Sequence, residues 1–212
     1  MRHLALPLAA VLVATTATGA TLRTLEHSQP ASGVTGIKVT AGVGEVEILG
    51  DNGNEIRVRV EVKAKHTGLF GSHASESELE SLAIEPSLSG GILNLRVTPE
   101  RDDDRNFSET WRIYLPGALA ASVKLGVGEV SVLDLSGDVR ADLGVGDVKI
   151  EGAHAAFGDV SASCGVGDAT LRTPDRHEDG EGFIGHHLSA KGPGKAAIHA
   201  EVGVGDVTIR LR

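Results

Sequence analysis

A five-residue pattern, Gly-Val-Gly followed by an acid and then Val or Ala, recurs five times in this 212-residue chain. It reads GVGEV from Gly42 and Gly126, GVGDV from Gly144 and Gly203, and GVGDA from Gly165. After Gly126 the starts are 18, 21 and 38 residues apart, the last being about two periods. A fixed period near 20 residues is typical of stacked repeats, in which each unit buries its face against its neighbours. We therefore expect an all-β, single-chain, β-solenoid-like stack with short coils of about 18–21 residues.

The pattern also predicts where each coil turns. Leu125 and Val127 form one apolar pair and Val130 and Val132 the next, so the strict alternation of a strand breaks between them. The break falls on Gly128–Glu129, where Gly tolerates a positive φ and a carboxylate can accept backbone N–H bonds. We expect the pentad to be a corner whose flanking apolar residues are all buried: Leu125, Val127, Val130, Val132, Leu143, Val145, Val148 and Ile150.

Three regions follow from the patterning. Residues 1–20 are typical of a secretory signal peptide, with Arg2, an apolar run from Leu4 to Ala14, and cleavage expected near Gly19 or Ala20. Residues 21–116 form a β-rich part, in which the alternating EIRVRVEVKAK predicts a half-buried strand and Ser75–Leu82 a short helix. Residues 117–212 are the Gly-acid-Val repeat region, interrupted by an insertion at about 174–193. No other stretch approaches about 18 apolar residues, so we expect no transmembrane segment in the mature chain.

Charge and cysteine content narrow the function. The chain has 29 acidic against 20 basic residues, a net charge of −9, which disfavours binding to nucleic acid. The single cysteine, Cys164, excludes a framework of internal disulfides. It precedes a Gly-Val-Gly where the other repeats have Ala, Leu or Val, so we expect a buried core thiol rather than a catalytic or dimer-forming one.

The segments GIKVTAGVGEVEILGDNGNEIRVRVEVKA, ETWRIYLPGALAASVKLGVGEVSVLDLSGDVRADLGVGDVKIEG and EVGVGDVTIRL together cover most of the predicted mature chain. Their frame is a strand ending in Leu-Pro, a short strand, and then recurrent Gly-acid-Val steps. In this frame the chain resembles the bacterial "putative adhesin" family of exported, toast-rack-like β-repeat domains. The resemblance implies a β-solenoid-like stack outside the cytoplasm with a loosely defined role in surface association, and it supplies no catalytic residues. The segment TPDRHEDGEGFIGHHLSAKGPG departs from the family pattern.

Two sets of residues in the sequence are candidate ligands for a cation. The repeated acids Glu45, Glu129, Asp147, Asp168 and Asp206 offer carboxylates to calcium, although Ca²⁺ requires six to eight converging oxygens and turn capping explains these acids as well. The segment from His177 to His187 offers His177, Glu178, His186 and His187 to a transition metal, but without the spacing that fixes such ligands, so a solvated loop is the expectation. We assign no metal ligand and no cofactor.

Enzymatic signatures are weak. A six-residue register through Val127, Leu133, Val139 and Val145 resembles acyltransferase β-helices, but it fails at Glu151 and Ser163. Neither G-x-S-x-G nor H-E-x-x-H occurs. We assign no catalytic residue and expect a non-enzymatic protein.

The expected function is that of an exported, adhesin-like scaffold, periplasmic or extracellular, acting in cell-envelope or surface association. It would associate with itself or with an envelope protein, and the terminal GVGDVTIRLR predicts an uncovered strand edge for that contact. The first alternative is a calcium- or metal-dependent binding module. The second is a β-helix enzyme that acts on envelope carbohydrate.

Overall fold

The computed structural model describes residues 22–64, 76–98, 107–180 and 185–212, with the side chains of 76–77, 176–180 and 186 excepted. The predicted signal peptide, residues 1–20, lies outside the described residues. The strands are β1 (Leu22–Pro30), β2 (Gly36–Asp51), β3 (Glu55–Ala64), β4 (Ala83–Ser89), β5 (Ile92–Thr98), β6 (Phe107–Pro116), β7 (Ala120–Leu133), β8 (Val139–Gly152), β9 (Phe157–Val166), β10 (Ala169–Thr173), β11 (Arg176–Gly180), β12 (His186–Lys191), β13 (Ala196–Val204) and β14 (Val207–Leu211). One α-helix, α1 (Glu76–Ser81), and a 3₁₀ helix at His154–Ala156 complete the described elements.

All fourteen strands belong to one large mixed sheet, so the predicted all-β class is confirmed. Five units of the sheet each contain one Gly-Val-Gly and are called bent units below: β2, β7, β8, β13–β14 and β9–β10. Before the bend these units pair in parallel, flanked by β5 and β12; after it they pair in parallel again, flanked by β6 and β11. The buried residues of both halves form one hydrophobic core.

The order of the bent units differs from their order in the chain. The last unit, β13–β14, lies between β8 and β9–β10, because β13 pairs with β8 and β9, and β14 with β8 and β10. A regular solenoid of successive coils is therefore not confirmed. The expectation of an uncovered edge at GVGDVTIRLR is wrong, since both sides of β14 are already paired inside the sheet.

Local patterns predicted several elements correctly. In β3 the alternating Ile56, Val58, Val60 and Val62 are at most 3 % exposed, and α1 falls within the expected short helix. At the bends, Leu125, Val130, Val132, Leu143, Val148 and Ile150 are buried as expected. Val127 and Val145 are not: each is 46 % exposed, because the middle residue of the bend lies on its convex side while the core lies on the concave side.

The insertion-like segment contains strands where a solvated loop was expected. β11 pairs antiparallel with β10, and β12 pairs antiparallel with β9. These two strands cover the edge that the last bent unit in the sheet would otherwise expose. The loop expectation for the His177–His187 segment is thus wrong for its two ends, because backbone hydrogen bonds to β9 and β10 hold them in the sheet.

Candidate functional site: the valine row and its polar border

Each bend depends on a glycine that follows the exposed valine. Gly128 has φ of 141° and Gly146 has φ of 128°, a region that L side chains rarely adopt. A Cβ atom at either position would also overlap a carbonyl oxygen of the neighbouring bent unit, that of Gly44 for Gly128 and that of Gly128 for Gly146. The bends can therefore stack in register only while these positions are glycine.

The stacked bends carry a continuous row of valines on the outside of the molecule. Parallel register places Val43 beside Val127, Val127 beside Val145, Val145 beside Val204, and Val204 beside Val166. Four of the five are 46–49 % exposed: Val127, Val145, Val204 and Val166. Among the described residues only two other large hydrophobic side chains are classed as exposed, Leu22 and Leu88, and neither lies in the row. The five residues, named the valine row, span about 19 Å at roughly 4.8 Å per strand.

A row of five carboxylates borders the valine row on one side. This acidic row consists of Glu45, Glu129, Asp147, Asp206 and Asp168, all of them exposed. Asp147 accepts a hydrogen bond from the backbone N–H of Asp206 (3.0 Å), and Asp206 accepts one from Asp168 N–H (2.8 Å). At these two places the acids act as the turn caps considered in the sequence. No three of the five bring their oxygens within 4.8 Å of one another, so the row does not form a calcium cage.

A polar cluster borders the valine row on the other side. Asp142 of β8 lies directly across from Glu201 of β13, and His199 lies two residues before Glu201 on the same face of β13. One ligand atom from each of these three residues falls within 4.8 Å of the others. Arg140 contacts Asp142 through Nε–Oδ2 at 3.0 Å and Nη2–Oδ1 at 2.9 Å. His199 Nδ1 lies 2.8 Å from the Ser161 hydroxyl.

Sequence reasoning did not find this cluster. Asp142 precedes His199 by 57 positions and Glu201 by 59 positions in the chain. The three residues meet only because β13 pairs with β8, although β9 to β12 lie between these strands in the sequence. The one local signal was His199-Ala-Glu201, which puts two ligating side chains on one face of a strand.

The histidines and acids singled out in the sequence are distributed over two strands. His177 and Glu178 lie on β11, opposite Arg172 and Leu171 of β10, and their side chains are outside the described set. His186 and His187 lie on β12, opposite Cys164 and Ser163, and the His187 side chain is exposed. The sheet register does not place His177 and Glu178 opposite His186 and His187.

Cys164 is a core residue of β9, as expected from its place before Gly-Val-Gly. It is 3 % exposed, and its thiol donates a hydrogen bond to the carbonyl of Gly205 at 2.8 Å. Burial raises the pKa of the Cys164 thiol above its ordinary value, which favours its protonated form.

A shallow concavity of about 560 Å³ lies elsewhere, on the outer face of β1, β3 and β6. Its three arginines are already paired with carboxylates: Arg57 with Asp51 (2.7 Å), Arg59 with Glu26 (3.0 Å) and Arg112 with Glu47 (2.7 Å). Because these exposed ion pairs satisfy the guanidinium groups, the surface offers no uncompensated charge to an anionic ligand.

A comparison with solved structures found a protein that shares this fold. The sequence matches no protein-family model and no curated protein. The crystal structure of a "putative cell adhesion protein" from Clostridium sporogenes is similar over 88 % of this chain and 99 % of its own, with a TM-score of 0.50 and 18 % identity. A "putative adhesin" from Bacteroides fragilis is similar over 88 % of this chain and 96 % of its own, with a TM-score of 0.32 and 12 % identity. At these identities the first likeness shows a shared fold. Within the described part of the chain, no helix has the length and apolar character needed to cross a membrane.

Proposed function

We propose that this chain is an exported, non-enzymatic association protein of the bacterial cell envelope that binds a partner protein through its valine row. The observation that carries the proposal is the concentration of exposed apolar side chains in one line. Isolated exposed hydrophobic residues are normal on a protein surface, whereas a contiguous apolar patch rimmed by polar groups is typical of an interaction site. Here four equally exposed valines are aligned, with a polar border on each side.

The charges beside the row select the chemistry of the partner. All five residues of the acidic row carry carboxylates; on the opposite border Glu201 adds another, while Arg140 and Lys124 lie beside Asp142 and balance its charge. A second copy of this chain docked with its acidic row over the acidic row of the first would bring carboxylates against carboxylates, which costs free energy. A segment with apolar side chains flanked by Lys or Arg complements both features, so the proposed partner is a cationic amphipathic strand or loop of an envelope protein.

Two further observations support the proposal. Residues 1–20 have the composition of a secretory signal peptide, which supports a periplasmic or extracellular location. The shared fold with a protein described as a putative cell adhesion protein agrees with a role in association.

The test uses synthetic peptides in place of the unidentified partner. An alternating Val/Lys peptide, a Val/Glu peptide and a Ser/Lys peptide are titrated by fluorescence anisotropy into wild-type protein, V127S/V145S and L88S. Leu88 is 54 % exposed on β4 and lies outside the row, so L88S is the matched control. We expect wild type and L88S to bind the Val/Lys peptide best, with an affinity that falls with salt, and V127S/V145S to lose this preference.

Equal binding of the Val/Lys peptide by V127S/V145S and wild type would contradict the proposal. So would a wild-type dimer in sedimentation equilibrium that dissociates in V127S/V145S, since the row would then serve self-association. Recovery of the protein from the cytoplasm with residues 1–20 intact would overturn the export part.

A further inference from the structure

We propose that Asp142, His199 and Glu201 form a binding site for a divalent transition-metal ion, and that Zn²⁺ is the ion that fits its donors. The inference does not rest on the proposed association function, although Asp142 and Glu201 also lie on the polar border of the valine row.

The sheet holds the three donors in place. β8 and β13 pair in parallel with Asp142 opposite Glu201, and each strand has a further strand on its other side, β7 for β8 and β9 for β13. Internal strands hold their side chains at fixed separations, since backbone hydrogen bonds constrain them on both sides. The ligand atoms of the three residues are already within 4.8 Å of one another.

One hydrogen-bonding arrangement at Ser161 leaves Nε2 of His199 available to a metal ion, and the proposal requires that arrangement. The Ser161 hydroxyl lies 3.3 Å from the carbonyl of Ile198, to which it donates, and 2.8 Å from His199 Nδ1. A hydroxyl has one proton, so with that proton on Ile198 its oxygen accepts from Nδ1–H. The neutral ring then has its lone pair on Nε2, the arrangement in which one ring N–H is held and the other nitrogen binds a metal.

The available nitrogen faces a carboxylate. His199 Nε2 lies 4.0 Å from Glu201 Oε2, beyond hydrogen-bonding distance. In the neutral tautomer both atoms present lone pairs, and a cation between them would turn a repulsive contact into an attractive one. Two donors on one tetrahedral ion lie about 3.4 Å apart for bonds of about 2.1 Å, so small side-chain rotations would close the site.

Asp142 supplies the third donor. Its Oδ1 is shielded from solvent. Arg140 Nη2 lies 2.9 Å from Oδ1 without the geometry of a hydrogen bond, whereas Arg140 Nε donates a well-formed hydrogen bond to Oδ2. Oδ1 can therefore face a cation as well as the nearby guanidinium group, since a carboxylate oxygen has two lone pairs. The guanidinium group of Arg140 neutralises Asp142 when no metal ion is bound, and it repels an incoming metal ion. We therefore expect a moderate affinity for the metal ion, which should rise when Arg140 is replaced by a neutral residue.

The donor set favours zinc. One imidazole nitrogen and two carboxylate oxygens suit Zn²⁺, whereas Ca²⁺ requires six to eight oxygens and Mg²⁺ seldom takes nitrogen. Three protein ligands leave a fourth position for water.

The experiment measures ZnCl₂ binding to the purified protein by isothermal titration calorimetry, and CoCl₂ binding by visible absorption, which reports tetrahedral coordination. We expect one Zn²⁺ per site in wild type, loss of that step in H199Q and E201Q, and a loss of roughly tenfold in S161A, which removes the group that orients the imidazole. R140Q should bind more tightly than wild type. H187Q is the matched control, since His187 is an exposed histidine of β12, which is separated from β13 by β9, and it should bind as wild type does.

Equal Zn²⁺ affinity in wild type and H199Q overturns the proposal, as does an absence of binding at millimolar ZnCl₂. Loss of binding in H187Q equal to that in H199Q also overturns it, because the ion would then sit elsewhere. Circular dichroism of each variant shows whether it is folded, and E201Q replaces H199Q if the latter is not.

Discussion

At the scale of single residues, the stacking of the bends depends on glycines that face the backbone of the next unit. We expect G128A to lower the free energy of unfolding by about 3 kcal/mol or more, because the methyl group is both strained at a φ of 141° and overlaps the carbonyl of Gly44. The control is G90A, where φ is 58° but nothing lies within 4 Å of a new Cβ. G90A has the backbone strain of a positive φ without the overlap, so it should lower the free energy of unfolding by about 1 kcal/mol. Urea unfolding measures both; equal losses would show that the overlap has no effect.

The buried thiol gives a second prediction at this scale. Native Cys164 should react slowly with a bulky disulfide reagent and rapidly after unfolding, and C164S should cost about 1–3 kcal/mol for a hydroxyl in an apolar site. Rapid labelling of the native protein would contradict the core assignment.

The same thiol predicts a dependence on alkaline pH. Burial raises the pKa of Cys164 in the folded state, so above the ordinary value of 9.0 the unfolded chain has lost a proton that the folded chain still holds. The stability contributed by the neutral thiol is therefore complete below pH 9.0 and declines as the pH rises through the folded-state pKa. Urea unfolding of wild type should show this decline more steeply than C164A does. Parallel curves would rule it out.

At the scale of elements, β14 is the clearest departure from local expectation. It holds three buried side chains, Val207, Ile209 and Leu211, and pairs on both sides. A chain that ends at Asp206 should therefore fail to fold, since each lost side chain costs about 2–5 kcal/mol against a total stability of about 5–15 kcal/mol. R210A changes an exposed residue of the same strand and should keep the wild-type circular dichroism spectrum and melting temperature within a few degrees. A folded truncated chain would show that β14 is a dispensable edge.

Elements also show what sequence patterns can and cannot predict. The alternation in β3 was sufficient to identify its buried face, because a period of two fixes which side chains share a face. The apolar pattern at Val127 predicted burial wrongly, because a bend has a convex side that hydrophobicity alone does not reveal. The pairing of strands across the sheet could not be predicted from local patterns either. No residue near β14 or His199 in the sequence indicates that this segment lies between β8 and β9–β10.

At the scale of the whole molecule, the net charge of −9 and the acidic row predict a salt effect on stability. Stacked carboxylates about 4.8 Å apart repel one another, and screening weakens that repulsion. We expect E129Q, which lies between Glu45 and Asp147 in the row, to raise the melting temperature at low salt by about 2–4 °C, the shift for ~1 kcal/mol in a chain of this size. The advantage should shrink at 0.5 M NaCl. E55Q neutralises an exposed acid outside the row and is the control. An equal gain from E55Q would trace the effect to net charge alone.

The placement of the final unit between two earlier ones has a consequence for biosynthesis. While the ribosome is still adding residues before Ala196, β8 and β9–β10 lack the strand that joins them, and the sheet has a gap in its middle. The nascent chain therefore cannot complete this sheet until β13 and β14 have emerged. If residues 1–20 direct the chain to a channel that passes unfolded proteins, in line with the export proposed above, this topology keeps the sheet open until β14 has been made, when passage can already be under way.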